Sequence, residues 1–355
     1  MKRKLILPFL LLFVSVVATA QTDKQKAQSL AQTAVKYIDN KAYDEAISLL
    51  EQAHQLDSTV YRYRYEMAYA YYLKQDFKKS LQIMERLAGK EDVNDKVYQL
   101  LGNLYDMNGD TTMALRSYKV GLRKFPKSGL LYAEYGNFYY DHRDYNRALA
   151  YYERGIEVAP NYPTNYFRAA ILFLSSQEEI WGMIYGELFI NLEPNTDRTK
   201  QISAMLYETY LNEMEITSDS TMAVSFSKDA TLVNGHLPFA HKVYEPLLLL
   251  SVVEEKKLNM EAICRIRKRF IEGYYEKGYD KEYDNVLFSY QKKVLDAGHF
   301  DAYSHWVLIS GDKQEFNVWY DKHKDELNAY AKWLGDNRLE INNKNAFIRQ
   351  KLEKP

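Results

Sequence analysis

The sequence predicts an all-α fold in which five copies of one helical hairpin stack into an α-solenoid, followed by a packed helical C-terminal module. Three observations predict it. Ala46, Ser80, Ala114, Ala148 and Gly182 stand 34 residues apart with no insertion or deletion, and a small residue recurring at that period marks one supersecondary unit copied and stacked. In the same register Thr33, Met67, Leu101, Tyr135 and Ala169 are each followed at once by Ala34, Ala68, Gly102, Gly136 and Ala170, and three residues further by an aromatic, Tyr37, Tyr71, Tyr105, Tyr139 and Phe173. The column Ser58, Asp92, Pro126, Pro160 and Pro194 closes each copy, the last three sharing a proline.

Before the repeats, residues 1–20 read as a secretory signal. Met1-Lys2-Arg3-Lys4 is a positive start, Leu5 to Val17 an apolar run interrupted by Pro8 and Ser15, and Ala18-Thr19-Ala20 the small-x-small pattern that signal peptidase cuts. The run is too short to span a bilayer comfortably and no cysteine lies near the cut, so the expected product is a periplasmic or released protein starting at Gln21, without a lipid anchor or an integral membrane segment.

The five copies are 27–60, 61–94, 95–128, 129–162 and 163–196. In the third, Tyr98, Leu101, Gly102 and Tyr105 follow the i, i+3, i+4, i+7 spacing of one helical face, and Ala114, Tyr118 and Gly121 do the same for a second helix. Small residues at Gly102 and Ala114 let the two backbones approach while aromatics fill the space beside them. Turn residues such as Asn108-Gly109-Asp110 and His142-Arg143-Asp144 separate the helices, and Pro126, Pro160 and Pro194 end the second one. Tyr61-Arg62-Tyr63-Arg64-Tyr65 alternates like a strand, but Met67, Ala68 and Tyr71 fall in the repeat columns, so the register assigns this stretch to a helix.

The order large, small, aromatic, small, aromatic, small, proline over 34 residues resembles the tetratricopeptide repeat family across residues 27–196. The resemblance implies a right-handed superhelix whose stacked first helices leave a concave groove for a protein or extended peptide. The second, fifth, ninth and twelfth places of each first helix are not used in packing. They are Arg62, Tyr65, Tyr69 and Tyr72 in the second copy, Lys96, Gln99, Asn103 and Asp106 in the third, and Leu130, Ala133, Asn137 and Tyr140 in the fourth. Tyrosine gives large contact area with a polar tip at low entropy cost, which suits an extended segment. The partner-binding residues expected on this reading are Arg62, Tyr65, Tyr69, Tyr72, Lys96, Asn103, Asp106, Asn137 and Tyr140. Family members that grip a C-terminal carboxylate carry lysine, arginine and asparagine at set places; Asn103 and Asn137 fit, but Gln99, Ala133 and Glu134 do not, so that activity is not carried over. The fifth copy has an apolar face in place of the groove, Thr164, Phe167, Ile171 and Leu174, which predicts that residues 197–355 cap it, a homodimer through the same face being the alternative.

After residue 196 the register stops while helical composition persists. Helices are expected over Lys200–Met214, Phe239–Glu254, Met260–Lys277, Glu282–Ala297, Asp301–Ile309, Lys313–Leu334 and Asp336–Lys351, with Leu247 to Val253 apolar all round and buried. Ser218 to Leu237, with Thr217-Ser218-Asp219-Ser220 and Asn234-Gly235, reads as a loop or weak helix.

Composition narrows the chemistry. Without Lys2, Arg3 and Lys4 the chain has 44 basic against 48 acidic side chains, which disfavours nucleic acid as a partner. Cys264 is the single cysteine and reads as a buried small apolar residue, so no intramolecular disulfide forms. His236, His241 and Glu245 do not share one helical face, and His299 and His305 are too far apart on a helix to act together, so no metal or cofactor is expected; the latter pair reads as packing beside Trp306. Glu178-Glu179 and Glu254-Glu255 diverge on a helix and read as solvated charge, as does Arg265-Ile266-Arg267-Lys268-Arg269. No nucleophile elbow, phosphate loop, zinc-protease helix or calcium loop occurs. The expectation is a non-catalytic scaffold of a bacterial cell envelope; the alternative is an enzyme or carbohydrate-handling module in residues 197–355 with the repeats as a targeting arm.

Overall fold

The computed structural model describes residues 7–218, 221–228, 230–231 and 236–352. Over the repeats it is a succession of helical pairs: α1 (Leu7–Asp39) with α2 (Tyr43–Leu56), α3 (Tyr61–Leu73) with α4 (Phe77–Ala88), α5 (Asp95–Met107) with α6 (Thr111–Lys124), α7 (Gly129–Asp141) with α8 (Tyr145–Val158), and α9 (Pro163–Leu174) with α10 (Glu179–Leu192). The register therefore folds as five hairpins, and Tyr61–Tyr65 is helical as the columns require. Packing divides the chain into two compact units, residues 1–126 and 127–355. The division falls at Pro126, two residues before the end of the third copy, so hairpins four and five belong with the C-terminal module. The start of the expected leader, Met1-Lys2-Arg3-Lys4, lies outside the described residues, and α1 begins at Leu7, within its apolar run.

Inside a hairpin, the glycine after the large residue makes room for a whole ring. The Tyr118 ring lies against Gly102 and the Tyr152 ring against Gly136, each so near that an added Cβ would overlap it. Both rings are fully buried, and each hydroxyl donates to an asparagine of the first helix, Tyr118 to Asn103 Oδ1 at 2.5 Å and Tyr152 to Asn137 Oδ1 at 3.0 Å. The turn repeats too. Lys41, Gln75, Gly109 and Arg143 occupy one column and all have a left-handed φ of 62° to 78°, which costs strain except at the glycine. The next residue caps the second helix: Asp76, Asp110 and Asp144 accept from the backbone N–H of Lys79, Met113 and Arg147, satisfying a donor the helix start leaves free. Helices α6, α8 and α10 end two residues before Pro126, Pro160 and Pro194, because a residue preceding proline disfavours helical geometry.

The fifth hairpin departs from this plan. Glu178 gives α10 no side-chain cap. The N–H of Ile180 is instead taken by the carbonyl of Phe226 at 3.1 Å, contributed by the segment after a β-hairpin, β1 (Met214–Ser218) and β2 (Thr221–Val224), that follows α11 (Asp197–Glu213). The strands pair antiparallel, Met214 opposite Val224 and Ile216 opposite Met222. This corrects the loop reading of the region. Met214 and Phe226 are buried, so alternating β-branched and long apolar residues find a core to face, which local turn residues could not reveal. Asp219, Ser220, Asn234 and Gly235 lie outside the described residues.

The rest of the module is α12 (Glu245–Val252), preceded by one π-helical turn at Ala240–Tyr244, then α13 (Met260–Glu276), α14 (Val286–Asp296), α15 (Phe300–Val307) and α16 (Lys313–Asp336). Helix α12 is not buried all round. Leu247, Leu248 and Val252 are covered, but Leu249, Leu250 and Val253 are 40%, 59% and 57% exposed, because the module offers α12 a packing partner on one side, chiefly α13. Against the apolar face of the fifth copy, the Arg198 guanidinium of α11 covers Phe167 and donates to Thr164 Oγ1 at 3.2 Å.

Nor is the last segment a helix. After Asp336 the chain runs non-helically to a short 3-10 turn at Arg349–Lys351, burying Ile341, Ala346, Phe347 and Leu352. This tail doubles back onto α8, α9 and α10. Asn343 donates to the carbonyl of Glu157 at 2.9 Å, and Phe347 packs on Trp181 and Tyr185 with ring centroids 6.3 and 5.4 Å away. Side-chain partners, rather than a helical hydrogen-bond ladder, hold it, and that is why the helical expectation for Asp336–Lys351 fails.

Candidate functional site

In the first unit, α3 presents the expected tyrosine face. Met67, Ala68 and Ala70 are buried in the hairpin, while Tyr65, Tyr69 and Tyr72 stay half-buried. Their rings form a ladder, Tyr65 to Tyr69 at 6.5 Å and 4°, Tyr69 to Tyr72 at 6.3 Å and 13°, ending against Phe77 at 5.8 Å. Burial, with Glu66, Tyr69 and Asp95 nearby, pushes the Tyr65 hydroxyl well above the usual phenol range, so it stays a neutral donor at any physiological pH. Arg62 lies exposed at one end of the ladder, its Nε 3.4 Å from Glu66 Oε1. On α5, Lys96 is exposed and Asn103 and Asp106 are half-buried. Asn103 is no free ligand, since its carbonyl oxygen already accepts from Tyr118.

In the second unit, α7 carries Asn137 and Tyr140, both half-buried. Asn137 accepts from Tyr152, and Tyr140 packs edge-on against Tyr145 at 5.5 Å. Ala133, in the fifth place of the same helix, is buried, its short side chain offering no reach beyond the helix surface. The two asparagines therefore serve first as acceptors that orient core tyrosines. Sequence spacing placed them on a face without showing what reaches them from the second helix.

A further concavity in the first unit was not anticipated. Between α4 and α6, floored by α5, lies a cleft of about 310 Å³ lined by Glu85, Leu101, Tyr105, Met113, Arg116 and Val120 among others. Tyr105 donates to Glu85 Oε1 at 2.6 Å, and burial together with that carboxylate pushes its hydroxyl up to about 12.

Several charges read as solvated are buried. Glu187 and Arg267 pair with each other, Arg267 Nη2 to Glu187 Oε1 at 2.7 Å and Nη1 to Oε2 at 2.9 Å, with both side chains at most 5% exposed. Tyr303 and Gln291 donate to the same carboxylate at 2.7 and 2.6 Å, and beside the group is a cavity of about 20 Å³, room for roughly one water. Glu255 is also buried and accepts from Arg265 and Arg269, whose hydrogen bonds outweigh desolvation and hold its carboxyl below the usual range. Of the basic run, Arg265 and Lys268 keep the expected solvent-facing role, Arg265 also reaching Glu261 and Lys268 lying near Glu272, while Arg267 is buried and Arg269 half-buried. Glu179 is buried, which raises its carboxyl, and Glu178 accepts from Ser227.

His241 and His305 are absorbed by packing and local hydrogen bonds, while His236 is exposed. His241 Nδ1 lies 2.8 Å from Glu245, and His305 stacks on Trp319 at 3.9 Å rather than on Trp306. Among the described residues no group of three or more His, Cys, Asp or Glu side chains is placed to hold a metal ion. Cys264 is free and buried, and burial pushes its thiol far up, leaving it unreactive. No described helix is long and apolar enough to cross a membrane.

Residues 37–104 match the tetratricopeptide repeat family, so the chain carries a tetratricopeptide repeat segment. Among solved structures it is similar to a tetratricopeptide protein of Thermus thermophilus, at 18% identity over 51% of this chain and 98% of that one with a TM-score of 0.44. It is also similar to pilF of Pseudomonas aeruginosa, at 14% identity over 53% and 86% with a TM-score of 0.44, and to MamA of Desulfovibrio magneticus, at 12% over 48% and 97% with a TM-score of 0.38. No curated protein matches the chain.

Proposed function

We propose that this is a non-catalytic scaffold protein of the bacterial cell envelope, exported by its leader, that holds an extended protein segment on the first-helix face of its repeats. A tetratricopeptide segment supports protein–protein interaction as the class of activity. The observation that carries the site is the ladder of Tyr65, Tyr69 and Tyr72, three near-parallel rings left half-exposed on a helix whose other side is fully packed. Such a surface offers rigid apolar area with hydroxyls at its edge, and Arg62 and Lys96 add donors for backbone carbonyls or acidic side chains. Export rests on the positive start, the apolar run and Ala18-Thr19-Ala20.

The test uses the exported chain purified from its native envelope with its partner. Each buried tyrosine contact removed costs on the order of 1–2 kcal/mol, so Tyr69→Ala with Tyr72→Ala should weaken the complex tenfold or more while the circular dichroism spectrum stays helical. Unchanged affinity would remove the ladder from the interface. Mass spectrometry of the exported chain should find Gln21 as its first residue.

A further inference from the structure

The twenty-fifth place of the repeat holds Glu51, Glu85, Lys119, Glu153 and Glu187, a column whose glutamates meet different fates. Glu187 receives Arg267, Gln291 and Tyr303 from the C-terminal module. Glu153 receives the same three residue types: Arg349 Nε at 3.0 Å, Gln350 Nε2 at 2.6 Å and the Tyr185 hydroxyl at 2.8 Å. In that second case the arginine and glutamine come from the non-helical tail. Phe347 packs on Trp181 and Tyr185, the Arg349 N–H donates to the Tyr185 hydroxyl at 3.1 Å, and the Arg349 guanidinium lies over Phe173 at 5.3 Å.

Shifted back by two repeats, every one of those contact residues has a counterpart lining the cleft of the first unit. Glu153 corresponds to Glu85, Phe173 to Tyr105, Trp181 to Met113 and Tyr185 to Ser117. The carboxylate again holds one phenol, here Tyr105 at 2.6 Å, and Glu85 remains exposed beside about 310 Å³ of space. We infer that this cleft is a second docking site, distinct from the tyrosine ladder, for an extended segment of a partner protein carrying an aromatic side chain and, two residues later, an arginine. The aromatic ring enters over Met113 and Ser117, and the guanidinium meets Glu85 while covering Tyr105. The lining differs in kind from the filled groove at three places: Met113 and Ser117 replace the rings of Trp181 and Tyr185, so the Ser117 hydroxyl stands in for the phenol, and the third change adds charge. Arg116 stands where the filled groove has Ile184, so the partner residue beside it is neutral or acidic rather than basic.

The chain supplies its own probe. A fluorescein-labelled peptide with the sequence of residues 341–352 contains Phe347 and Arg349 at the required spacing, and its anisotropy can be titrated against the full chain. Saturable binding is expected, weakened at least tenfold by Glu85→Gln in the protein and by alanine in place of the peptide's arginine or phenylalanine. Glu85 is exposed, so the variant should fold, and an unchanged thermal melt verifies it. Absence of saturation at millimolar peptide, or binding that Glu85→Gln leaves unaltered, as simple displacement of the native tail would give, overturns the proposal. Self-association in sedimentation that disappears in Glu85→Gln would assign the cleft to the tail of a second copy and overturn the choice of occupant.

Discussion

The third and fifth hairpins share one register and end in opposite surroundings. Of the fourteen residues of α6, four are buried, Ala114, Ser117, Tyr118 and Gly121, whereas α10 buries twelve of fourteen. Helix α6 needs one apolar stripe because one side meets its hairpin partner and the rest meets solvent. Helix α10 is enclosed by α9, α11, α14 and the tail, and its sequence, Ile180-Trp181-Gly182-Met183-Ile184-Tyr185, is apolar on every side. The polar exceptions teach more. A glutamate in the twenty-fifth place is harmless at Glu85, in contact with water, but at Glu187 it needs an arginine, an amide and a phenol to be tolerated.

The largest effect should come from that enclosed charge. Arg267→Leu leaves Glu187 buried without its counter-ion and is expected to cost about 3–5 kcal/mol in urea unfolding. Arg116→Leu, on the exposed side of α6, should stay within about 0.5 kcal/mol. Adding Glu187→Leu to Arg267→Leu should restore part of the loss, since the buried charge is gone, while the Gln291 and Tyr303 donors left unpaired keep the remainder. If the single and double variants are equally unstable, the two hairpins differ in shape rather than in charge burial.

Packing gives the next difference. Gly102→Leu drives a side chain into the buried Tyr118 ring and should cost about 1–3 kcal/mol, as should Gly136→Leu against Tyr152. At Gly186 an added Cβ would stand 3.0 Å from Ile202 Cγ2 and 3.1 Å from Leu206 Cδ2, tight contacts but without the overlap with a ring seen at Gly102 and Gly136. Gly186→Ala should therefore cost less than either, helped by alanine's greater helix propensity of up to about 1 kcal/mol. A reversed order in thermal melts would mean that the densely covered fifth hairpin is the more rigid.

The same contrast explains what could be read from the sequence. Hairpins, turns and the helix-ending prolines are local, so the 34-residue columns specify them almost residue by residue. The β-hairpin, the tail and the one-sided cover of α12 depend on partners distant in sequence. Arg267 read as solvated because its neighbours are basic, while its counter-ion stands 80 residues away. At the candidate site, spacing identified the tyrosine ladder of α3 but not that Tyr118 and Tyr152 would claim Asn103 and Asn137. The recurring glutamate column does not reveal the cleft at Glu85, because that space exists only where side chains of α4, α5 and α6 come together.

The smallest expected effect is a pH dependence confined to the second unit. His305 is 1% exposed, flat against Trp319, and its Nδ1 donates to the Asp301 carbonyl at 3.0 Å. Burial lowers its pKa below the ordinary 6.5, and the Asp301 carboxylate opposes that without cancelling it. The unfolded chain therefore takes up a proton at a higher pH than the folded one, and stability is lost as pH falls through about 6.5 towards the lowered value. Denaturant midpoints measured from pH 7.5 to 5.5 should decline in the native chain and decline less in His305→Gln. Equal slopes would mean that His305 keeps enough water to charge freely, and the stacked pair with Trp319 would then be a surface feature rather than part of the enclosed core.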